Sequence, residues 1–107
     1  MYLLNTTRHL QTPASPDTLA RLLKMLENEV APSVTSVEGL QSISWMLSSD
    51  RQTLQAFSGW GAADGPATAE RHPLHQSNSI LINEMLGGLA EPQQHTYYEL
   101  LAERSFR

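Results

Sequence analysis

The chain has no cysteine and a single lysine, Lys24, and it carries neither a long apolar run nor a cluster of positive charge. Each absence removes a class of function. Without cysteine there is no disulfide and no thiol nucleophile, and a reducing cytoplasm is the expected compartment. Eleven acidic residues stand against 7 basic ones, for a formal charge of -4, so the electrostatic footprint of a nucleic-acid-binding protein is missing. No stretch approaches the ~18 apolar residues of a membrane span. The amino-terminal MYLLNTTRHL has too short an apolar run and the wrong charge order for a signal peptide, and no membrane partner is expected. A Gly-rich phosphate loop, a nucleophile elbow and a well-spaced carboxylate pair are absent too. What is present is 107 residues, 40% apolar and 17% charged, which describes one globular domain over residues 1–107 with one core.

The most informative stretch is Leu40 to Trp60, LQSISWMLSSDRQTLQAFSGW. Its first half sets Gln41, Ile43, Trp45 and Leu47 against Leu40, Ser42, Ser44 and Met46, and its second sets Leu54, Ala56, Ser58 and Trp60 against Thr53, Gln55, Phe57 and Gly59. A period of two over both halves predicts two strands. Ser48, Ser49, Asp50 and Arg51 between them predict a hairpin turn. Apolar residues fall on both faces of each strand, so the sheet needs cover on two sides, and one layer of helices supplies only one.

Tyr2 to Leu10 alternates weakly and reads as the first strand. Ser15-Pro16 is a good helix start, and Leu19, Leu22, Leu23, Leu26 and Val30 form one apolar stripe. Pro32 is expected to end that helix near Val30 or Ala31. After Trp60, Gly61 to Pro66 reads as a flexible linker or loop. A helix beginning at Ala67 is interrupted at Pro73, and a clearer one runs from Leu74 to Gly87-Gly88. His95 to Glu103 reads as the last strand, with Arg104 to Arg107 frayed. The order strand, helix, strand, strand, helix, strand is that of an α+β, ferredoxin-like βαββαβ fold: a four-stranded antiparallel sheet with two helices on one face. Large apolar candidates for the other face are Trp45 or Met46, Phe57 or Trp60, and Tyr97 or Tyr98, according to register. A symmetric partner is their expected cover.

Val30-Ala31-Pro32 closing the first helix, Val37-Glu38-Gly39-Leu40 leading into the second strand, Trp60 ending the third, and Ala90-Glu91-Pro92 before a tyrosine-containing last strand resemble one family. It is the antibiotic-biosynthesis-monooxygenase-like group of the dimeric α+β barrel superfamily. The resemblance spans nearly the whole chain. It implies a homodimer with facing sheets, and a separate pocket between sheet and helices in each subunit. The chain departs from the family at Gly61-Ala62-Ala63-Asp64-Gly65-Pro66, where a polar pair usually leads directly into a helix. Members include cofactor-free oxygenases acting on aromatic phenols, haem-degrading enzymes and proteins without known activity.

Cofactor-free oxygenation of a phenol needs an apolar cavity, a polar group to remove or steady the proton, and room for dioxygen. The resemblance thus implies a catalytic set of Asn5, Trp60 and His72: Trp60 stacking on the ring, Asn5 bonding its oxygen, and a histidine as base because its pKa lies near neutrality. Trp60, Tyr98, His75 and Arg8 are the expected ligand-binding residues for a small aromatic or quinone-like molecule. No cofactor is required by that reading. Two alternatives stand beside it: a non-catalytic ligand-binding or stress-related dimer, and a haem-binding protein. In the haem-degrading branch an asparagine, a tryptophan and a histidine in this order line one pocket, as Asn5, Trp60 and His72 or His75 do in sequence, although the gap after Trp60 is longer here and Pro73 disturbs the helix. His72 and His75 lie three apart without a third ligand, so no metal site is expected. The bland alternatives are a core tryptophan, a helix-capping histidine and a solvent-facing strand asparagine.

Overall fold

The computed structural model describes residues 1–106. Strand β1 (Tyr2–His9) leads into α1 (Pro16–Met25), a π-helical turn (Leu26–Val30) and α2 (Ala31–Val34), which run on without a break. The hairpin β2 (Leu40–Leu47) and β3 (Thr53–Trp60) follows, then α3 (Gly65–Arg71), α4 (Pro73–Met85) and β4 (Gln94–Glu99). The strands pair antiparallel in the order β2-β3-β1-β4, and the helices pack on one face. This is the ferredoxin-like βαββαβ arrangement.

The first helix starts as its sequence predicts, with the Ser15 hydroxyl accepting from the Thr18 amide and Pro16 in the first turn. It does not end before Pro32. The π turn shifts the hydrogen-bond pattern just where that ring removes an amide donor, and the chain continues helical to Val34. Leu22, Met25, Leu26 and Val30 are buried against Leu10, Leu54 and Ile82. Each such side chain contributes about 1.5–3 kcal/mol on burial.

At the hairpin, Arg51 takes a positive φ of 62° and the Asp50 carboxylate accepts from the Gln52 amide and the Ser48 hydroxyl, giving the polar turn its shape. Two other boundaries differ from expectation. Gly65 and Pro66 are buried in α3 and are not linker, because Trp60 needs cover there. The last strand stops at Glu99, opposite Tyr2, the first residue of β1. Just past it the Leu100 amide donates to the Met1 carbonyl, and Leu101 is exposed. Arg104 to Phe106 has no regular structure, and Arg107, expected to fray with it, lies outside the described residues.

Register settles the two faces, since cross-strand partners share a face. Leu4, Ser58 and Tyr97 align, as do Thr6, Ala56 and His95, and the bonds from Tyr97 and Arg8 to helical residues identify this as the helix side. Trp45 and Trp60 are on it. Met46, Phe57 and Tyr98 are on the open face, with Met46 at 55% and Tyr98 at 50% exposure. Around them that face is largely polar, carrying Asn5, Thr7, Gln55, Thr96 and Ser44. No described helix is long and apolar enough to cross a membrane.

Candidate functional site

A cleft opens on the helix side at the end of β3, where Val34, Val37, Leu40, Ile43 and Trp60 meet Ala69, His72, Leu74 and His75. Its lining is mostly apolar, with the hydroxyl of Ser58 and the two imidazoles as its polar groups. Trp60 is its back wall. The indole is 7% exposed, packs with Leu4 and Ala69, and donates its ring N–H to Ser58 Oγ at 2.8 Å. That bond satisfies the one polar group of a buried tryptophan and fixes the ring plane. The enclosed part of the cleft is small, about 60 Å³. Small-molecule sites commonly enclose about 300–1,000 Å³, so a ring system larger than one ring enters only as the walls give way.

Pro73 shapes the rim. It closes α3 and opens α4, leaving His72 extended at the elbow between them. His72 caps α4: its Nδ1 accepts from the Leu74 amide at 3.1 Å. In the neutral ring the proton then sits on Nε2, so His72 offers the cleft a donor and not a base. His75, one turn on, is different. Its Nε2 faces His95 Nε2 at 3.1 Å, and its other nitrogen makes no hydrogen bond among the described residues. Burial, then the proximity of His95 and of Arg8, push its pKa down to about 4, against a smaller opposing pull from Glu70. At neutral pH His75 is an uncharged imidazole.

Behind the cleft, Arg8 is 2% exposed and holds β1 to α4: its Nε donates to Asn83 Oδ1 at 2.8 Å and its Nη2 to Ser79 Oγ at 3.1 Å. Gln93 completes the group, accepting from Asn83 Nδ2 and donating to Ser79 Oγ. The Nη1 atom is buried with no partner among the described residues, and burial pulls the guanidinium down to about 10. Arg8 remains a cation at neutral pH.

Of the residues singled out from sequence, Trp60, His72 and His75 come together at the cleft. Asn5 and Tyr98 do not. Asn5 pairs with Phe57 and Thr96 on the open face, where its side chain donates to Gln55 Oε1 and accepts from the Thr7 hydroxyl. Tyr98 shares that face. Arg8 is on the helix side but is engaged with α4 and does not line the cleft. A haem does not fit this arrangement: the asparagine is across the sheet, His72 Nδ1 is engaged as a cap, His75 Nε2 faces His95 Nε2, and the enclosed space is small. No three metal-binding side chains cluster among the described residues. Sequence reasoning missed His95 and Glu70. His95 shares the face of Tyr97 by strand parity, which signals its side only once the register of β4 is known.

No family model matches the chain, and no curated protein matches it in sequence. Solved structures do match. A monooxygenase from the gene ActVA-Orf6 of Streptomyces coelicolor, in complex with the ligand nanaomycin D, superposes with a TM-score of 0.67 at 16% identity, over 99% of this chain and 92% of that one. A putative antibiotic biosynthesis monooxygenase from Deinococcus radiodurans gives 0.66 at 16% identity, over 100% and 99% of the two chains. The chain has the antibiotic biosynthesis monooxygenase fold. Rv0793 from Mycobacterium tuberculosis shares this fold too, at a TM-score of 0.62 and 19% identity over 98% of this chain and the whole of that one. Identities this low speak to the fold, and the chemistry rests on the cleft.

Proposed function

We propose that the protein is a cytoplasmic, cofactor-independent monooxygenase that oxidises a small phenolic or quinol-like aromatic, working as a homodimer. The observation that carries this reading is the cleft itself: an apolar slot backed by a fixed indole, with an uncharged imidazole at its rim and a buried cation behind it. A flat phenol lies against Trp60 with its hydroxyl toward the imidazoles. Loss of the hydroxyl proton leaves an electron-rich phenolate, which the field of Arg8 stabilises in a low-dielectric surround. Dioxygen then takes four electrons from the ring. One oxygen atom is inserted at carbon, the other leaves as water, and the phenol becomes a quinone without any outside reductant. The shared fold of a monooxygenase bound to nanaomycin D supports an aromatic of this class.

The homodimer reading rests on the open face. Met46 and Tyr98 stand half exposed there, Phe57 beside them, and a second copy laid sheet to sheet covers all three.

The direct test is aerobic incubation of metal-free, flavin-free protein with a dihydroxynaphthalene, following oxygen uptake and the colour of the hydroxynaphthoquinone formed. Catalysed uptake that Trp60→Ala abolishes supports the reading. The small enclosed volume favours one rival, a non-catalytic ligand-binding dimer. Binding that quenches Trp60 fluorescence without oxygen uptake decides for that rival.

A further inference from the structure

The cleft histidine is the inner end of a line of polar groups that reaches the protein surface. His75 Nε2 and His95 Nε2 are 3.1 Å apart, with the rings 5.2 Å between centres and tilted by 59°. His95 Nδ1 lies 3.7 Å from Glu70 Oε1, and the same oxygen accepts from the Tyr97 hydroxyl at 3.1 Å. Exposure rises along the line, from the half-buried imidazoles to a Glu70 side chain 35% exposed and an exposed Tyr97. Four elements contribute: α4 with His75, β4 with His95 and Tyr97, α3 with Glu70, and β1 with Arg8, whose charge also acts on His75.

Two facing ring nitrogens share one proton, and the outer end of the line decides which ring owns it. The Glu70 carboxylate favours an N–H at His95 Nδ1. His95 Nε2 is then a lone pair and accepts from His75 Nε2–H. The lone pair of His75 is left on Nδ1, on a ring that lines the cleft.

We infer that His75, His95 and Glu70 form a proton relay, with His75 as the base that takes the hydroxyl proton of the bound phenol and Glu70 as its outlet to water. This rests on the oxygenation reading above. The phenolic O–H breaks and its proton bonds to His75 Nδ1. The His75 Nε2 proton passes to His95 Nε2, and the His95 Nδ1 proton passes to Glu70 as the carboxylate closes the 3.7 Å between them to hydrogen-bond distance, after which Glu70 releases it to solvent. The electron pair of the O–H bond stays on the phenolate. When dioxygen has been reduced, the reverse passage carries a solvent proton inward to the departing oxygen and restores both tautomers. A ring pushed down to about 4 is a poor resting place for a proton, which suits a conduit whose outlet is elsewhere. His95 and Glu70 are positioning residues here, since neither touches the substrate.

The test joins a spectroscopic reading with a kinetic one. In ligand-free protein at neutral pH, nitrogen-15 NMR is expected to show His75 protonated at Nε2 and His95 at Nδ1. A His75 protonated at Nδ1 overturns the relay. With dihydroxynaphthalene as probe, Glu70→Gln is expected to slow its deprotonation about a hundredfold, with partial rescue by added formate. His75→Phe is expected to do the same without rescue. Glu70 is partly exposed, so its variant tests the relay even where His75→Phe fails to fold. Oxygenation at the wild-type rate in both variants overturns the relay and leaves the monooxygenase reading standing. A probe that ionises through the relay without consuming oxygen supports the relay and overturns the monooxygenase reading, and a probe that does not bind overturns both.

Discussion

Gly65 lies so close to Trp60 that a Cβ at position 65 would come 2.5 Å from the Cβ of the tryptophan. The start of α3 is thus set down directly on the back wall of the cleft. Gly65→Ala is expected to force the helix and the indole apart, at a cost of about 1–3 kcal/mol. Thermal denaturation reads the loss, and a red-shifted Trp60 emission reports the displaced ring. An unchanged melting temperature would mean that α3 is less firmly seated than this contact implies.

His75 makes the fold acid-sensitive. Unfolded, its ring takes up a proton near pH 6.5, whereas in the folded protein burial and the neighbouring His95 and Arg8 hold that step down to about 4. The unfolded chain therefore binds more protons between these values, and stability falls as pH drops from about 6.5 to about 4. His75→Gln, which cannot be protonated in this range, is expected to flatten that part of the profile in urea titrations taken at successive pH values. A parallel profile in the variant would assign the acid sensitivity to another group.

Arg8 presents a contrast between losing a charge and stranding one. Arg8→Met removes the buried cation and leaves Ser79, Asn83 and Gln93 able to bond one another, so stability is expected to stay within about 1.5 kcal/mol of wild type. Asn83→Ala strands the guanidinium and is expected to cost more, about 1.5–3 kcal/mol. Arg8→Met is also expected to raise the pKa of His75, because the arginine charge helps to hold it down. Denaturant midpoints and histidine NMR titrations check the two halves separately.

The proposed dimer has a test that spares the cleft. Met46→Asp and Tyr98→Asp alter exposed positions on the face away from the helices, and each is expected to leave a folded chain that no longer pairs. Light scattering after size-exclusion chromatography, with circular dichroism as the control for folding, distinguishes this from a chain that is monomeric throughout.

The element order was legible because its signals are local: a leucine stripe at helical spacing, two strands of period two, and prolines and glycines at most of the breaks. The faces were less so. In β1 the helix side carries Leu4, Thr6 and Arg8 and the open side Leu3, Asn5 and Thr7, so neither parity is plainly apolar, and nothing in the pattern places Asn5 on one face or the other. A buried arginine is what blurs that pattern. Pro32 misled for another reason, since the π turn that tolerates it has no sequence signature of its own. The His75–His95 pair joins residues 20 apart on different elements, and only register brings them together.

The π turn has a kinetic side. Val34 and Val37, one wall of the cleft, lie at the end of α2 and just beyond it, downstream of a turn whose bonding has already been rearranged around Pro32. With about 60 Å³ enclosed, a two-ring ligand of the proposed class would have to wait for that wall or the α3 elbow to swing out. Its association rate would then climb with ligand concentration only to a ceiling, the frequency at which the protein opens by itself.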